Sequence, residues 1–207
     1  MDFIIDNLRI FALGGMLGPV LYTMIWVLGG ILQPEYSHVR DDVSSLMAVG
    51  APNKRLFDLM QTVDVVLMII FFSSLHWAIE GGEGSILGPA CFVASNVVGL
   101  AIVLFYPLDE GGGIESPTAQ MHVKLVALMS VLAMLGMLAM WLRFMNADGW
   151  AGFSQYTMAS FVVTLVTGLI GVKTVGTEIM GLTERLVVTA NVQYFFVLAL
   201  KVFLSAV

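Results

Sequence analysis

Six apolar runs, each long enough to cross a bilayer, leave few folds open to this sequence. They lie at about residues 9–32, 57–79, 88–106, 122–145, 154–173 and 184–204. At about 1.5 Å of rise per residue, each covers roughly the 30 Å of a hydrocarbon core. The runs end in turn chemistry or charge: Gln33-Pro34, Glu80 to Gly84, Pro107 to Gly113, Asn146 to Gly149, and Lys173 to Gly181. A hydrocarbon interior excludes such groups. Only 12% of the 207 residues are charged, about half the share of a soluble domain. The expectation is an all-α, polytopic transmembrane bundle of about six spans, a single integral membrane domain over residues 1–207.

Charge narrows the partners. Fifteen acidic residues against nine Lys and Arg argue against nucleic acid and against docking on anionic headgroups. Membrane lipids are the expected surroundings, with a membrane-protein partner or a second copy as further candidates. Cys91 stands alone, so neither an intrachain disulfide nor a thiol metal site is available. The acidic start, Met1 to Asp6, has no basic n-region and does not read as a cleaved signal peptide; the first run is expected to remain as a span.

Against this apolar background, Pro34 to Leu46 gathers His38, Arg40, Asp41, Asp42 and the serines Ser37, Ser44 and Ser45. Polar chemistry beside a bilayer is costly unless partnered and marks a candidate site. At 100° per residue, Val39, Val43, Leu46 and Met47 share one arc, with Arg40, Asp41, Ser44 and Ser45 opposite. This predicts a short amphipathic interfacial helix over about 38–48, lying as a lid on the bundle mouth and stopped by Gly50-Ala51-Pro52.

Alternating spans place this loop with the third and fifth loops on one membrane face. That face receives Arg40, Lys54, Arg55, Lys124, Lys173 and Arg185, six of the nine cations, together with Asp109, Glu110, Glu115, His122, Glu178 and Glu184. Further polar groups reach inward: Gln61 and Asp64 one turn apart, Asn96 near mid-span, and Glu184 and Asn191 seven apart on one helical face. Partnered together, these would form a polar funnel descending from the loop. Gly14 and Gly18, at small-xxx-small spacing, suit close helix packing. Met129, Met134, Met137 and Met140 read as adaptable packing.

Taken in order, Pro34-Glu35-Tyr36-Ser37-His38-Val39-Arg40-Asp41-Asp42-Val43-Ser44-Ser45-Leu46, Tyr106-Pro107-Leu108-Asp109, His122 and Gly181-Leu182-Thr183-Glu184-Arg185 resemble the membrane-protein family catalogued as domain of unknown function 998. The likeness spans nearly the whole chain. It implies a six-helix, multi-pass protein of a prokaryotic cell membrane and no established reaction. The family's loop commonly reads Ile-Ser-Glu-Leu-Gly; here Ser44 is kept and Ser45 stands at the acidic position.

Four readings of the polar face follow. In a lipid-directed enzyme, Ser44 would be nucleophile, His122 general base and Asp109 the orienting carboxylate. In a binder of a lipid or small amphiphile, or a small-solute carrier, Tyr36, Arg40, Asp64, Asn96, Glu184 and Arg185 would hold the ligand. A metal variant would use His122, Asp109 and His38 or Glu184, although no ligand spacing specifies it. In a structural reading, Arg40, Asp41, Glu184 and Arg185 pair and close the end of the bundle, as in a membrane-complex subunit. No cofactor is indicated, because His76 lies at the opposite membrane end from His38 and His122 and cannot join them at a haem.

Overall fold

The computed structural model describes residues 2–205. A short helix, α1 (Asp2–Asp6), precedes six long ones: α2 (Leu8–Leu32), α3 (Lys54–Ser74), α4 (Leu87–Phe105), α5 (Pro117–Asn146), α6 (Ala151–Thr174) and α7 (Met180–Ser205). All six are long and apolar enough to cross a membrane. Their outer faces carry exposed Leu, Ile, Val and Phe along their length, as helices surrounded by lipid do. The chain is a multi-pass membrane protein.

Each long helix packs on the next, and α7 returns to α2, so the six close a ring. At one end the ring is filled by an aromatic core of Phe71, Phe72, Phe92, Phe144, Trp150 and Tyr194. Glycines set the helix separations. Gly15 lies against the Phe71 ring and Gly18 against Asp64 and Met68, so the glycine stripe of α2 seats α3 within this chain. Met137 and Met140 are core residues, and Gly88 of α4 lies on Met140.

Two expectations are corrected. Residues 38–48 form turns followed by a 3-10 helix, Ser44–Met47, not an amphipathic α-helix. Val43 and Leu46 are buried while Val39 is exposed, so no single apolar stripe is presented. The third helix stops at Ser74, five residues before the apolar run does. In the loop the cause is an arginine and N–H groups from another helix, which take the carbonyls of 38–41 that a local helix would have used internally. After Ser74, Arg143 binds the carbonyls of His76 and Ile79.

Candidate functional site

The first turn of α7 grips the loop between α2 and α3. Four consecutive loop carbonyls, those of residues 38–41, all accept hydrogen bonds from it. Arg185 Nη1 donates to His38 O at 2.8 Å and to Asp41 O at 2.9 Å. The Leu182 N–H donates to Val39 O at 2.9 Å and the Gly181 N–H to Arg40 O at 3.3 Å. First-turn N–H groups lack partners inside their own helix, and here the loop supplies them. Glu184 Oε2 completes the clasp by accepting from the Val43 N–H at 2.7 Å. Gly181 is required at its position because a Cβ there would strike the Asp41 carbonyl.

Arg185 is 8% exposed. Its guanidinium carbon lies 5.8 Å from the centre of the Trp26 ring and 5.4 Å from that of Tyr36, within cation–π range. Its Nη2 donates to the Tyr36 hydroxyl, which in turn donates to Asp42 O at 3.0 Å. Burial pushes the Tyr36 phenol above its ordinary range, against the pull of Arg185, so it remains a neutral donor. His38 packs edge-on to both rings and against Gly30 of α2. Partial burial, then the nearby Arg185 charge, hold the His38 imidazole below its usual range.

The carboxylates of this end divide into two kinds. Asp41 is ion-paired with Arg40 at 2.7 Å, which holds it below the usual carboxylate range. Asp109 accepts from the Ser116 N–H at 2.7 Å; bonding to Ser116 lowers it likewise. Ser116 caps α5 through the Ala119 N–H, with Pro117 opening the helix. Asp42, Glu184 and Asp64 are different. Asp42 Oδ1 accepts from the Ser45 N–H at 2.8 Å, and burial pushes its carboxyl upward. Asp64 Oδ2 accepts from Gln61 Nε2 at 2.9 Å, and its side chain sits in the notch left by Gly18.

Among the described residues, the ion pairs are Arg40–Asp41 and Lys54–Asp58; Asp42, Glu184 and Asp64 have none. Each leaves one carboxylate oxygen without a hydrogen bond. Tyr22 of α2 lies within electrostatic reach of both Asp64 and Glu184. Glu184 is in reach of Asp42, and Asp42 of His122. Asp64, Tyr22, Glu184, Asp42 and His122 thus stand each within electrostatic reach of the next, with no hydrogen bond joining successive members among the described residues.

The structure brings Tyr36, Arg185 and Glu184 together in the clasp, and Asp64 beneath it. His122 Nδ1 lies 2.7 Å from the Tyr106 carbonyl; a carbonyl only accepts, so Nδ1 carries the proton and Nε2 is the free acceptor. No hydrogen bond among the described residues joins Ser44, Asp109 and His122. Asn96 turns back on its own helix, donating to Phe92 O at 2.9 Å, and does not meet Asp64. No group of three His, Cys, Asp or Glu side chains among the described residues is placed to hold a metal ion. Tyr22 was not singled out from the sequence, although it lies one turn beyond Gly18, on the face that admits Asp64.

At the opposite end, Arg143 gathers carbonyls as Arg185 does. It donates to His76 O and Ile79 O at 3.0 Å each, to Ser85 O at 3.1 Å and to Glu83 O. These bonds hold residues 75–85, which follow α3 as turns and a short 3-10 helix, against α5. A lone arginine inside an apolar run was the available sequence signal.

No curated protein and no solved structure matches this chain. Residues 16–201 match the family described as "Protein of unknown function (DUF998)". That span takes in the loop, Asp109, His122 and the Gly181–Arg185 clasp, and the chain belongs to this family.

Proposed function

We propose that the protein binds the positively charged group of a small amphiphile inside the clasped end of the bundle, between Asp64 and Glu184. One observation carries this reading: two carboxylates from α3 and α7, both within electrostatic reach of Tyr22 of α2, each keep a free oxygen and, among the described residues, no Lys or Arg in ion-pair contact. An unpaired carboxylate removed from water costs several kcal/mol, and a ligand cation relieves that cost. Arg185 does not serve, because the loop carbonyls and Tyr36 hold its guanidinium. The chemistry favours an organic cation over a metal ion, since among the described residues no third His, Cys, Asp or Glu stands with the two carboxylates. The apolar outer surface of the ring favours a ligand that arrives from the lipid phase.

The test is calorimetry on purified protein in maltoside detergent with dodecyltrimethylammonium, against laurate as the anionic counterpart of equal chain length. The cation is expected to bind and laurate not to. Asp64→Asn and Glu184→Gln should each weaken binding by about tenfold or more, the equivalent of one charge contact. Equal binding of laurate, or undiminished binding by both variants, would contradict the reading.

A further inference from the structure

The clasped end is not the only place where a buried charge has no ion-pair contact among the described residues; Arg143 is another, although Glu80 lies within its electrostatic reach. Arg143 is 7% exposed, and among the described residues no carboxylate pairs with it. Its Nη atoms are taken up by the carbonyls of residues 75–85 and by His76 Nδ1 at 3.1 Å. The fifth donor is not: Arg143 Nε is buried without a partner. It faces Gly84, where even a Cβ would come within 3.4 Å of it.

Beside it lies a cleft of about 300 Å³ lined by Glu80, Gly84, Ser85, Leu87, Ala139, Leu142, Arg143 and Asn146. Its lining combines polar side chains with Leu87, Ala139 and Leu142. Leu87 and Leu142 are more than half exposed on the lipid side, so the cleft opens where acyl chains run. The groups sit at helix ends, the depth of lipid headgroups. Glu80 has φ +51°, a left-handed conformation that a non-glycine residue adopts at a cost. Gly81, Gly82 and Gly84 stand beside it, yet the strained position carries a carboxylate. Its Oε1 accepts from the Asp148 N–H at 3.0 Å, which fixes the side chain at the cleft and leaves Oε2 free.

We infer that this cleft is a seat for a phosphoethanolamine headgroup, independent of the clasped end. The phosphate takes the Arg143 Nε–H and the ammonium takes Glu80 Oε2. Ser85 and Asn146 belong to the polar lining, and the first carbons of an acyl chain lie on Leu87, Ala139 and Leu142. A cation and a carboxylate lining one cleft match a zwitterion better than a net anion. The apolar lining favours the membrane lipid over the free headgroup.

The protein is reconstituted in nanodiscs containing equal parts of phosphatidylethanolamine, phosphatidylglycerol and phosphatidylcholine, and the lipids that stay bound are counted by native mass spectrometry. Wild type is expected to retain one phosphatidylethanolamine in preference to the others by about tenfold. Ala139→Phe, which fills the cleft one turn from Arg143, should abolish that retention while the melting temperature stays close to wild type. Glu80→Gln should erase the preference over phosphatidylglycerol while keeping a bound phospholipid. Added phosphoethanolamine should not displace the lipid; displacement would move the assignment to a soluble ligand and overturn the lipid seat. Equal retention of all three lipids by wild type, or retention unchanged in Ala139→Phe, would also overturn it. Asp64→Asn leaves this retention intact if the two ends are separate sites, so failure here and failure of the cationic site are read apart.

Discussion

Arg185 donates to the carbonyl oxygen of Asp41 at 2.9 Å, so a side chain of the last span fixes the loop that follows the first. The same guanidinium also reaches His38 O, Gly181 O and the Tyr36 hydroxyl. Only a planar fork of donors serves so many acceptors at once. Arg185→Lys keeps the charge and loses the fork. Each carbonyl left unsatisfied costs about 1–3 kcal/mol, so the variant should melt well below wild type in detergent. The loop over residues 37–42 should also become open to proteolysis.

Gly181 tests the same clasp through backbone spacing. A methyl group there meets the Asp41 carbonyl, which cannot yield without breaking the Arg185 bond. Gly181→Ala should therefore destabilise by about 1–3 kcal/mol, the range for overpacking a tight contact. At Gly152, where a Cβ meets nothing, the same change should be nearly silent. A paired thermal melt checks both.

Asp42 carries a pH signature. Burial raises its carboxyl above the unfolded value of 3.8, so the folded state binds the proton more tightly. The stability this contributes is present below pH 3.8 and is lost as pH rises through the folded value. At neutral pH the residue is a burden, and Asp42→Asn, which can still accept from the Ser45 N–H, should raise the melting temperature there. The gain should vanish in acid.

His76 gives the opposite slope. Partial burial, then the adjacent Arg143, depress its imidazole below 6.5, and its Nδ1 accepts from Arg143. Protonation removes that acceptor. Its contribution is present above pH 6.5 and is lost as pH falls toward the depressed value; His38 adds a term of the same sign. Melting curves between about pH 5 and pH 7.5 should show stability falling with acid, and His76→Asn, whose Oδ1 replaces the Nδ1 acceptor, should flatten the slope.

The spans were legible because hydrocarbon admits so few alternatives: five of six lie within five residues of their expected starts and three of their expected ends. The convergence of the loop with Glu184 and Arg185 was legible from span alternation alone. The conformation of 38–48 was not. Its periodicity suits a helix, but the carbonyls of 38–41 are taken by α7, and no local pattern records a partner 140 residues away. The early end of α3 was hidden too, since Arg143, a partner more than 60 residues away, bonds there mainly to backbone carbonyls and to one side chain, His76. Asp64 was expected to line a polar funnel together with Asn96; it lies against Gly18 and in reach of Tyr22, a placement set by how deeply α2 and α3 interlock.

The central claim is that Asp64 and Glu184 together seat a cation. The most direct measurement is a structure of the protein with a dodecyltrimethylammonium whose tail carries bromine, so that anomalous signal gives its direction. The account predicts the ammonium within about 4–5 Å of both carboxylates, the reach of a charge contact, with the tail running outward between helices. An ammonium found only at exposed Glu35 or on the lipid-facing surface, with Asp64 still bonded to Gln61 alone, would contradict it.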